Sequence, residues 1–130
     1  MSKHIDPERE QFEAFKELPR DKPIMMLNLV RYREQAAYDD GTQATGAEAY
    51  ATYGKAVGPI LAGVGGEVVW RGNPKTTLIG PQDEYWDETF VVRYPSANAF
   101  LEMISSPEYQ VAVKHRQAAV EDSRLIRTEE

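Results

Sequence analysis

The sequence predicts an α+β fold in which helices cover one face of an antiparallel sheet. Hydrophobic periodicity gives the order leading helix, strand, helix, two strands, helix pair and short final strand. Turn signals rich in Gly, Pro and Asp separate these segments. Two of the strands are apolar on both sides, which is typical of a sheet covered on both faces. We therefore predict a ferredoxin-like βαββαβ plait with an extra N-terminal helix.

Composition limits the partners of the chain. Its 130 residues, 42% hydrophobic and 28% charged, suffice for a soluble domain with its own core. The net charge of -6, without any basic run, argues against nucleic acid as a partner. Residues 23–30 form the longest apolar run, which is too short to span a bilayer. We expect no membrane partner and, because no signal peptide is visible, a cytoplasmic location.

The first 22 residues predict a helical extension of a main domain that covers residues 23–130. Asp6 and Pro7 have the residue types of an N-cap and a first helical position. The helix carries a thin apolar stripe at spacing three: Phe12, Phe15 and Leu18.

The first half of the main domain predicts one strand and one long helix. The strand covers residues 23–32, and Asn28 is the polar exception on its two apolar faces. A polar loop, residues 33–44, follows. Thr45 and Glu48 match the reciprocal capping pattern of a helix start. Pro59 predicts a kink or a tight last turn near the end of that helix.

The second half predicts a hairpin, a third strand, two helices and a short last strand. Residues 67–71 and 76–80 form the hairpin, and residues 88–94 form the next strand. Ser96 and the pair Ser106-Pro107 have the residue types of helix starts. Residues 123–127 predict the terminal strand.

A second copy of the chain is the expected cover for the helix-free face of the sheet. The strands of residues 23–32 and 89–94 carry apolar residues on both faces, and an apolar sheet face in water would be an unusually large exposed patch. Two copies packed sheet to sheet about a two-fold axis would bury it. The sequence thus predicts a homodimer.

Arg93 is the first candidate for chemistry, because it lies inside an apolar strand. A guanidinium there must be paired or must line a wet cavity. One interpretation is a clamp for a carboxylate or enolate ligand. The alternative is a structural ion pair with Asp87, Glu88 or a carboxylate of a partner chain.

His115 and Arg116 are the second candidate. Histidine is the usual acid–base residue near neutral pH, so His115 is a candidate catalytic residue. Consecutive helix residues point about 100° apart, which places Arg116 on the apolar face of its helix and His115 at the edge. The alternative is a surface histidine with an arginine that is paired to acidic neighbours.

A third set combines an amide with aromatic residues that could orient a small polar ligand in an apolar pocket. Its members are Asn28, Tyr50, Tyr53 and Trp70. Core packing around a hydrogen-bonded amide explains the same residues. We expect neither a metal site nor a cofactor, because the chain has two histidines and no cysteine and its glycine-rich stretch follows a helix rather than a strand.

Several segments together resemble the bacterial domain-of-unknown-function family 1330, of the dimeric α/β-barrel superfamily. They are the strand that ends in Asn28, the helix with Tyr50 and Tyr53, residues 69–72, residues 92–96, and the C-terminal block that includes Ser106-Pro107-Glu108-Tyr109 and His115-Arg116. The resemblance implies a ferredoxin-like subunit, a homodimer whose sheets form a barrel, and pockets in that barrel. Superfamily relatives include cofactor-independent monooxygenases, an isomerase and haem-binding enzymes.

The leading hypothesis for function is a cofactor-independent small-molecule enzyme of the monooxygenase or isomerase type. Arg93 and Asn28 would hold an enolate or carboxylate, His115 would exchange protons, and Tyr50, Tyr53, Trp70 and Arg116 would contribute to ligand binding. The alternative is a non-catalytic ligand-binding or structural homodimer. The partners expected are thus a second copy and a small anionic or aromatic ligand.

Overall fold

A computed structural model describes residues 3–130, which form four helices and four strands. In chain order these are α1 (Arg9–Glu17), β1 (Ile24–Tyr32), α2 (Gly46–Gly63), β2 (Glu67–Gly72), β3 (Glu88–Tyr94), α3 (Ala97–Ser105), α4 (Pro107–Ala119) and β4 (Val120–Thr128). No helix in this part of the chain is both long and apolar enough to cross a membrane.

The four strands form one antiparallel sheet in the order β2-β3-β1-β4. The two central strands are the ones that the sequence predicts to be apolar on both faces. This order and the helices between the strands confirm the predicted α+β, ferredoxin-like fold.

Strand register separates the sheet into two faces that we call the helix side and the open side. On the helix side, Ile24, Met26 and Val30 of β1 and Phe90 and Val92 of β3 are buried. The open side carries the alternate residues of the same strands: Met25, Leu27, Leu29, Thr89, Val91 and Arg93. These side chains are half-buried in the protomer. The core therefore lies entirely between the helices and one face of the sheet.

Side-chain caps start three of the helices as the sequence predicts. At α2, Thr45 accepts from the Glu48 N–H and the Glu48 carboxylate accepts from the Thr45 N–H. Ser96 caps α3, and Ser106 caps α4 with Pro107 at its start. The long helix α2 continues through Pro59 to Gly63.

The N-terminal helix starts later than the sequence predicts. Glu8 is its N-cap, without a side-chain cap bond, so the assignment of Asp6 as N-cap is wrong. The reason is tertiary, since the Asp6 carboxylate accepts a hydrogen bond from Gln117 on α4 instead.

The predicted strand at residues 76–80 is also wrong. Strand β2 pairs directly with β3, and residues 73–87 form a connection without a strand. Leu78 and Ile79 in this connection are each 92% exposed. The turn residues around 72–75 resemble a hairpin turn, but the pairing partner of β2 lies further along the chain. The last strand, in contrast, is longer than predicted, because it continues directly from α4.

The N-terminal helix α1 and the loop at residues 33–44 both pack against the rest of the protein. Phe15 of α1 stacks with Phe100 at a ring distance of 5.3 Å, and the Arg127 guanidinium of β4 lies over the Phe15 ring. The loop at residues 33–44 is held to the end of α4, where the Arg33 and Ala37 N–H groups donate to α4 carbonyls. The division into an extension at residues 1–22 and a domain at residues 23–130 stays a prediction.

Candidate functional site

The sheet separates the predicted site residues into three places. Arg93 and Trp70 lie on the open side, because their partners in the register, Met25 and Val91, face that side. Asn28 lies on the helix side opposite Phe90, under the helices that carry Tyr50, Tyr53 and Arg116. His115 lies at the edge of α4, beside the loop at residues 33–44. One protomer therefore does not bring Arg93 together with either Asn28 or His115.

Arg93 has no ion pair and no side-chain hydrogen bond to any other residue within 3–130. Asp87, one of the partners considered from the sequence, accepts from the Tyr32 N–H instead. Glu88, the other, points to the helix side and pairs with Arg71 and Tyr32. No carboxylate in the described part of the chain therefore forms an ion pair with this guanidinium.

A cavity of about 250 Å³ lies at the margin of the open side and includes Arg93. Its other lining residues are Lys22, Pro23, Ile24, Met25, Glu129 and Glu130. Glu129 is already paired with Arg127. Lys22 adds a second cation, and Glu130 adds a second carboxylate, so the cavity combines charges of both signs with a short apolar wall.

Trp70 lies further along the open side. Its ring stands over Gly72, where an added Cβ would meet the ring at 2.8 Å. Glycine at this position therefore lets the indole lie flat on strand β2. The tryptophan is exposed in the protomer and belongs to the same surface as Val91 and Ile126.

Four tyrosines form a connected cluster on the helix side. The Tyr32 and Tyr50 rings are 5.4 Å apart, as are those of Tyr50 and Tyr53. Tyr53 and Tyr109 share a hydrogen bond of 3.0 Å between their hydroxyls. Burial raises the pKa of both Tyr50 and Tyr53, so these hydroxyls stay protonated at neutral pH.

The Tyr50 hydroxyl stands out in this cluster because it has no hydrogen-bond partner within residues 3–130, although Tyr50 is only 7% exposed. In that part of the chain, the one fully enclosed side-chain nitrogen or oxygen that lacks a partner is Arg33 Nε. The Tyr50 hydroxyl is therefore not fully enclosed by protein. The Asn28 amide is similar: its nitrogen donates to the Met26 carbonyl at 3.1 Å, while its oxygen accepts from no residue within 3–130.

Glu88 is a polar residue of this region that sequence reasoning did not select. Its carboxylate is shared between the Tyr32 hydroxyl and the Arg71 guanidinium, and Arg71 also lies over the Phe90 ring at 5.1 Å. The strand pattern does indicate a buried position for Glu88, because Glu88 alternates with Phe90 and Val92 and so lies on their buried face. From the sequence, Glu88 was considered only as a possible partner of Arg93.

Arg116 and His115 have different neighbours from those that a salt-bridge interpretation expects. The Arg116 guanidinium donates to the Ile5 carbonyl and, at 3.1 Å, to the Ser123 hydroxyl, and it pairs with no carboxylate within residues 3–130. His115 Nδ1 is 2.7 Å from the Tyr38 hydroxyl. His115 therefore tethers the loop to α4, away from the tyrosine cluster.

A larger cavity, about 570 Å³, lies at the other end of the sheet. Its lining includes two arginines and three carboxylates, from Arg31, Arg33, Glu34, Asp87 and Glu121. Arg33 pairs with Glu121 at 3.6 Å, and the Arg31 guanidinium stacks over Tyr85 at 4.6 Å. Its charges thus largely neutralise one another. No group of three or more metal-binding side chains occurs within residues 3–130.

The comparison with protein families decides where the chain belongs. The model of the family "Domain of unknown function (DUF1330)" matches residues 41–128, more than half of the chain. The chain is a member of the DUF1330 family. This confirms the resemblance that the sequence motifs indicated. No match to a curated protein was found.

Solved structures extend this likeness. A crystal structure of methylated RPA0582 protein is 58% identical, has a TM-score of 0.96 and is matched over 100% of this chain and 96% of that one. RPA0582 from Rhodopseudomonas palustris, a protein of unknown function, is 57% identical with a TM-score of 0.94, over 99% and 98%. A dimeric protein of unknown function and ferredoxin-like fold from Bacteroides fragilis is 13% identical, with a TM-score of 0.54 over 83% and 96%. At that identity the likeness shows the fold alone.

Proposed function

We propose that this DUF1330 protein is a homodimer that binds a small carboxylate or enolate at Arg93. The observation that carries the ligand is the Arg93 guanidinium, which lies at a cavity beside Lys22 and has no carboxylate partner among residues 3–130. A small anion there could pair directly with Arg93, which makes no ion pair with Glu129 or Glu130 of the same cavity.

The open side of the sheet supports the homodimer. Its centre is apolar across three strands, through Leu27, Leu29, Val91 and Ile126. A face of this kind is self-complementary when two copies meet about a two-fold axis, since each places its apolar strip on the other. The Bacteroides fragilis protein with a similar fold is described as dimeric, which agrees with this arrangement.

Binding, rather than catalysis, is the function that the geometry favours. Proton transfer to a ligand at Arg93 needs an acid–base group within hydrogen-bond reach. His115 lies on the other side of the sheet and is engaged by Tyr38. An activity of the monooxygenase or isomerase type, without a cofactor, stays a prediction from the family resemblance. The cytoplasmic location stays a prediction from the sequence.

Thermal unfolding with a panel of small carboxylic acids tests the ligand. A bound acid at one hundred times its Kd should stabilise the wild-type protein by about 2.7 kcal/mol and raise its Tm. Arg93→Met should remove that shift, because it keeps the length of the side chain and deletes the guanidinium. Arg9→Met is the matched control, since Arg9 is an exposed arginine of α1 outside the cavity.

Two results would contradict the ligand proposal. Equal Tm shifts in wild type and Arg93→Met would remove Arg93 from binding. Loss of dimer stability in Arg93→Met, with no acid binding to wild type, would show instead that a carboxylate of the second copy pairs with Arg93.

Light scattering tests the dimer independently of any ligand. Wild type should have twice the mass of one chain at micromolar concentration, and Ile126→Glu should have the mass of one chain, because it places a charge in the apolar centre of the open side. A wild-type protein with the mass of one chain would reject the dimer while leaving the Arg93 test intact.

A further inference from the structure

The connection between β2 and β3 carries the two most exposed aliphatic side chains of residues 3–130. Leu78 and Ile79 are each 92% exposed, whereas the next large hydrophobic residue, Val111 on α4, is 66% exposed. Single exposed aliphatic side chains are ordinary on a protein surface. Two adjacent ones with almost no contact to their own chain form a patch that gains free energy when a partner covers it. The pair therefore indicates an interaction surface.

The backbone presents this pair in one defined place. The Thr77 hydroxyl donates to the Glu84 carbonyl at 3.3 Å, and the Glu84 N–H donates to the Pro81 carbonyl at 3.2 Å. Gly80 has a φ of 152°, and a Cβ there would meet the Thr77 methyl group at 2.9 Å. Glycine at this position lets the chain pass closely beside Thr77. We call residues 77–84, which these contacts close into a loop, the arm.

The base of the arm is fixed at the rim of the open side. Arg124 of β4 faces that side, because it pairs in the register with Leu29. Its guanidinium is 3.2 Å from the Glu84 carboxylate and lies over the Trp86 ring at 5.1 Å. The connection thus crosses from β2 to β4 on the open side of the sheet, and the arm extends from that rim.

A second copy of the chain is the partner that this position favours. The rim that carries the arm borders the apolar centre of the open side, which is the contact of the proposed homodimer. A copy packed on that centre meets the arm, so the arm continues the same contact. The arm contains two carboxylates, Asp83 and Glu84, and no Lys or Arg, and the chain has a net charge of -6. These charges disfavour an anionic membrane or a nucleic acid as the partner.

We propose that the arm packs against a second copy of the chain and buries Leu78 and Ile79 in an apolar surface of that copy. Two-fold symmetry then gives each copy one arm to offer and one to receive. The arm acts in the proposed homodimer, on which this role depends. Leu78 and Ile79 stabilise that assembly and contribute almost nothing to the folding of one chain.

Sedimentation of fluorescently labelled protein, from nanomolar to micromolar concentration, measures the contribution of the arm. The double variant Leu78→Ser/Ile79→Ser should raise the Kd of the dimer about ten-fold or more, because each copy loses two buried aliphatic side chains. Its far-UV circular dichroism should match wild type, since neither side chain packs against its own chain. Val111→Ser is the matched control. It removes an exposed aliphatic side chain from α4 and should keep the wild-type Kd.

Photo-crosslinking tests the contact itself and does not need a measurable Kd. The chain has no cysteine, so Ile79→Cys and Val111→Cys each supply one thiol for a benzophenone maleimide. Irradiation should give covalent dimers with the probe at position 79 and far fewer with the probe at position 111. A wild-type dimer with equal crosslinking at the two positions, or with the same Kd in the double variant, would overturn the role of the arm and leave the homodimer standing. A wild-type protein with the mass of one chain would overturn both.

Discussion

On the helix side of the sheet, Ile24, Met26 and Val30 of β1 are buried within the protomer, whereas on the open side Met25, Leu27 and Leu29 of the same strand stay half exposed. One strand thus supplies apolar residues to two surfaces, and the four helices cover one of them. In the proposed homodimer, the hydrophobic pattern of β1 corresponds to burial in the assembly rather than in the single chain. A strand that is apolar on both faces needs two partners, and this chain supplies one.

Substitutions of two neighbouring methionines should give the largest difference between the two faces of the sheet. Met26→Ala removes a buried side chain from the core and should lower the free energy of unfolding by about 2–5 kcal/mol. Met25→Ala, one residue earlier and on the open side, should change the unfolding of a dilute protomer much less and should weaken self-association instead. Chemical denaturation at low and high protein concentration measures both. Equal losses at low concentration would mean that the two faces are equally covered within one chain.

Low pH should remove the stability that the Asp122 carboxylate on β4 contributes. Burial acts to raise the pKa of Asp122, but hydrogen bonds from the His4 N–H and from Arg124 outweigh it, and the pKa of Asp122 is lowered. A lowered folded-state pKa gives stability that is present above the unfolded value of about 4 and is lost as the pH falls through the folded value. Asp122→Asn should therefore cost about 1–2 kcal/mol at pH 7 and much less near pH 2. Unfolding curves at both pH values measure this, and a cost that is the same at both would contradict it.

Two tyrosines give the smallest and most closely matched contrast, within the helix side itself. Tyr53→Phe removes a hydroxyl that is bonded to Tyr109 and should cost about 1 kcal/mol of unfolding free energy. Tyr50→Phe removes a hydroxyl without a partner in the described chain and should cost close to nothing. Denaturant melts of the two variants compare them directly. A larger loss for Tyr50→Phe would mean that its hydroxyl is bonded inside the folded protein.

Much of the fold followed from local pattern. Thr45, Ser96 and Ser106 marked the helix starts because a cap satisfies backbone N–H groups within the same few residues. The alternation of side chains along a strand is also a local effect, and it placed Arg93 and Phe90 on opposite faces of the sheet. The failures were tertiary. Asp6 has the residue type of an N-cap, but its carboxylate accepts a hydrogen bond from Gln117 on another helix. Residues 76–80 have the pattern of a strand, but β2 pairs with β3 instead of with them.

The candidate site was predictable in its residue types but not in its grouping. Asn28, Tyr50, Tyr53 and Arg116 do gather on the helix side, since each occupies the apolar face of its element. Arg93 stands apart from them because odd and even positions of a strand point to opposite faces. Glu88 could not be recognised as a partner of Arg71 and Tyr32 before the order of the strands was known, since that pairing joins three separate segments.

Thiol reactivity at one position on the open side tests directly whether a second copy covers that surface. The chain contains no cysteine, so Ile126→Cys and Leu18→Cys each introduce a unique thiol. The two positions are almost equally exposed in the protomer, at 46% and 48%. Maleimide labelling at position 126 should slow as protein concentration rises, because a second copy covers it, while labelling at position 18 should not change. Equal labelling rates at the two positions over the whole concentration range would contradict it.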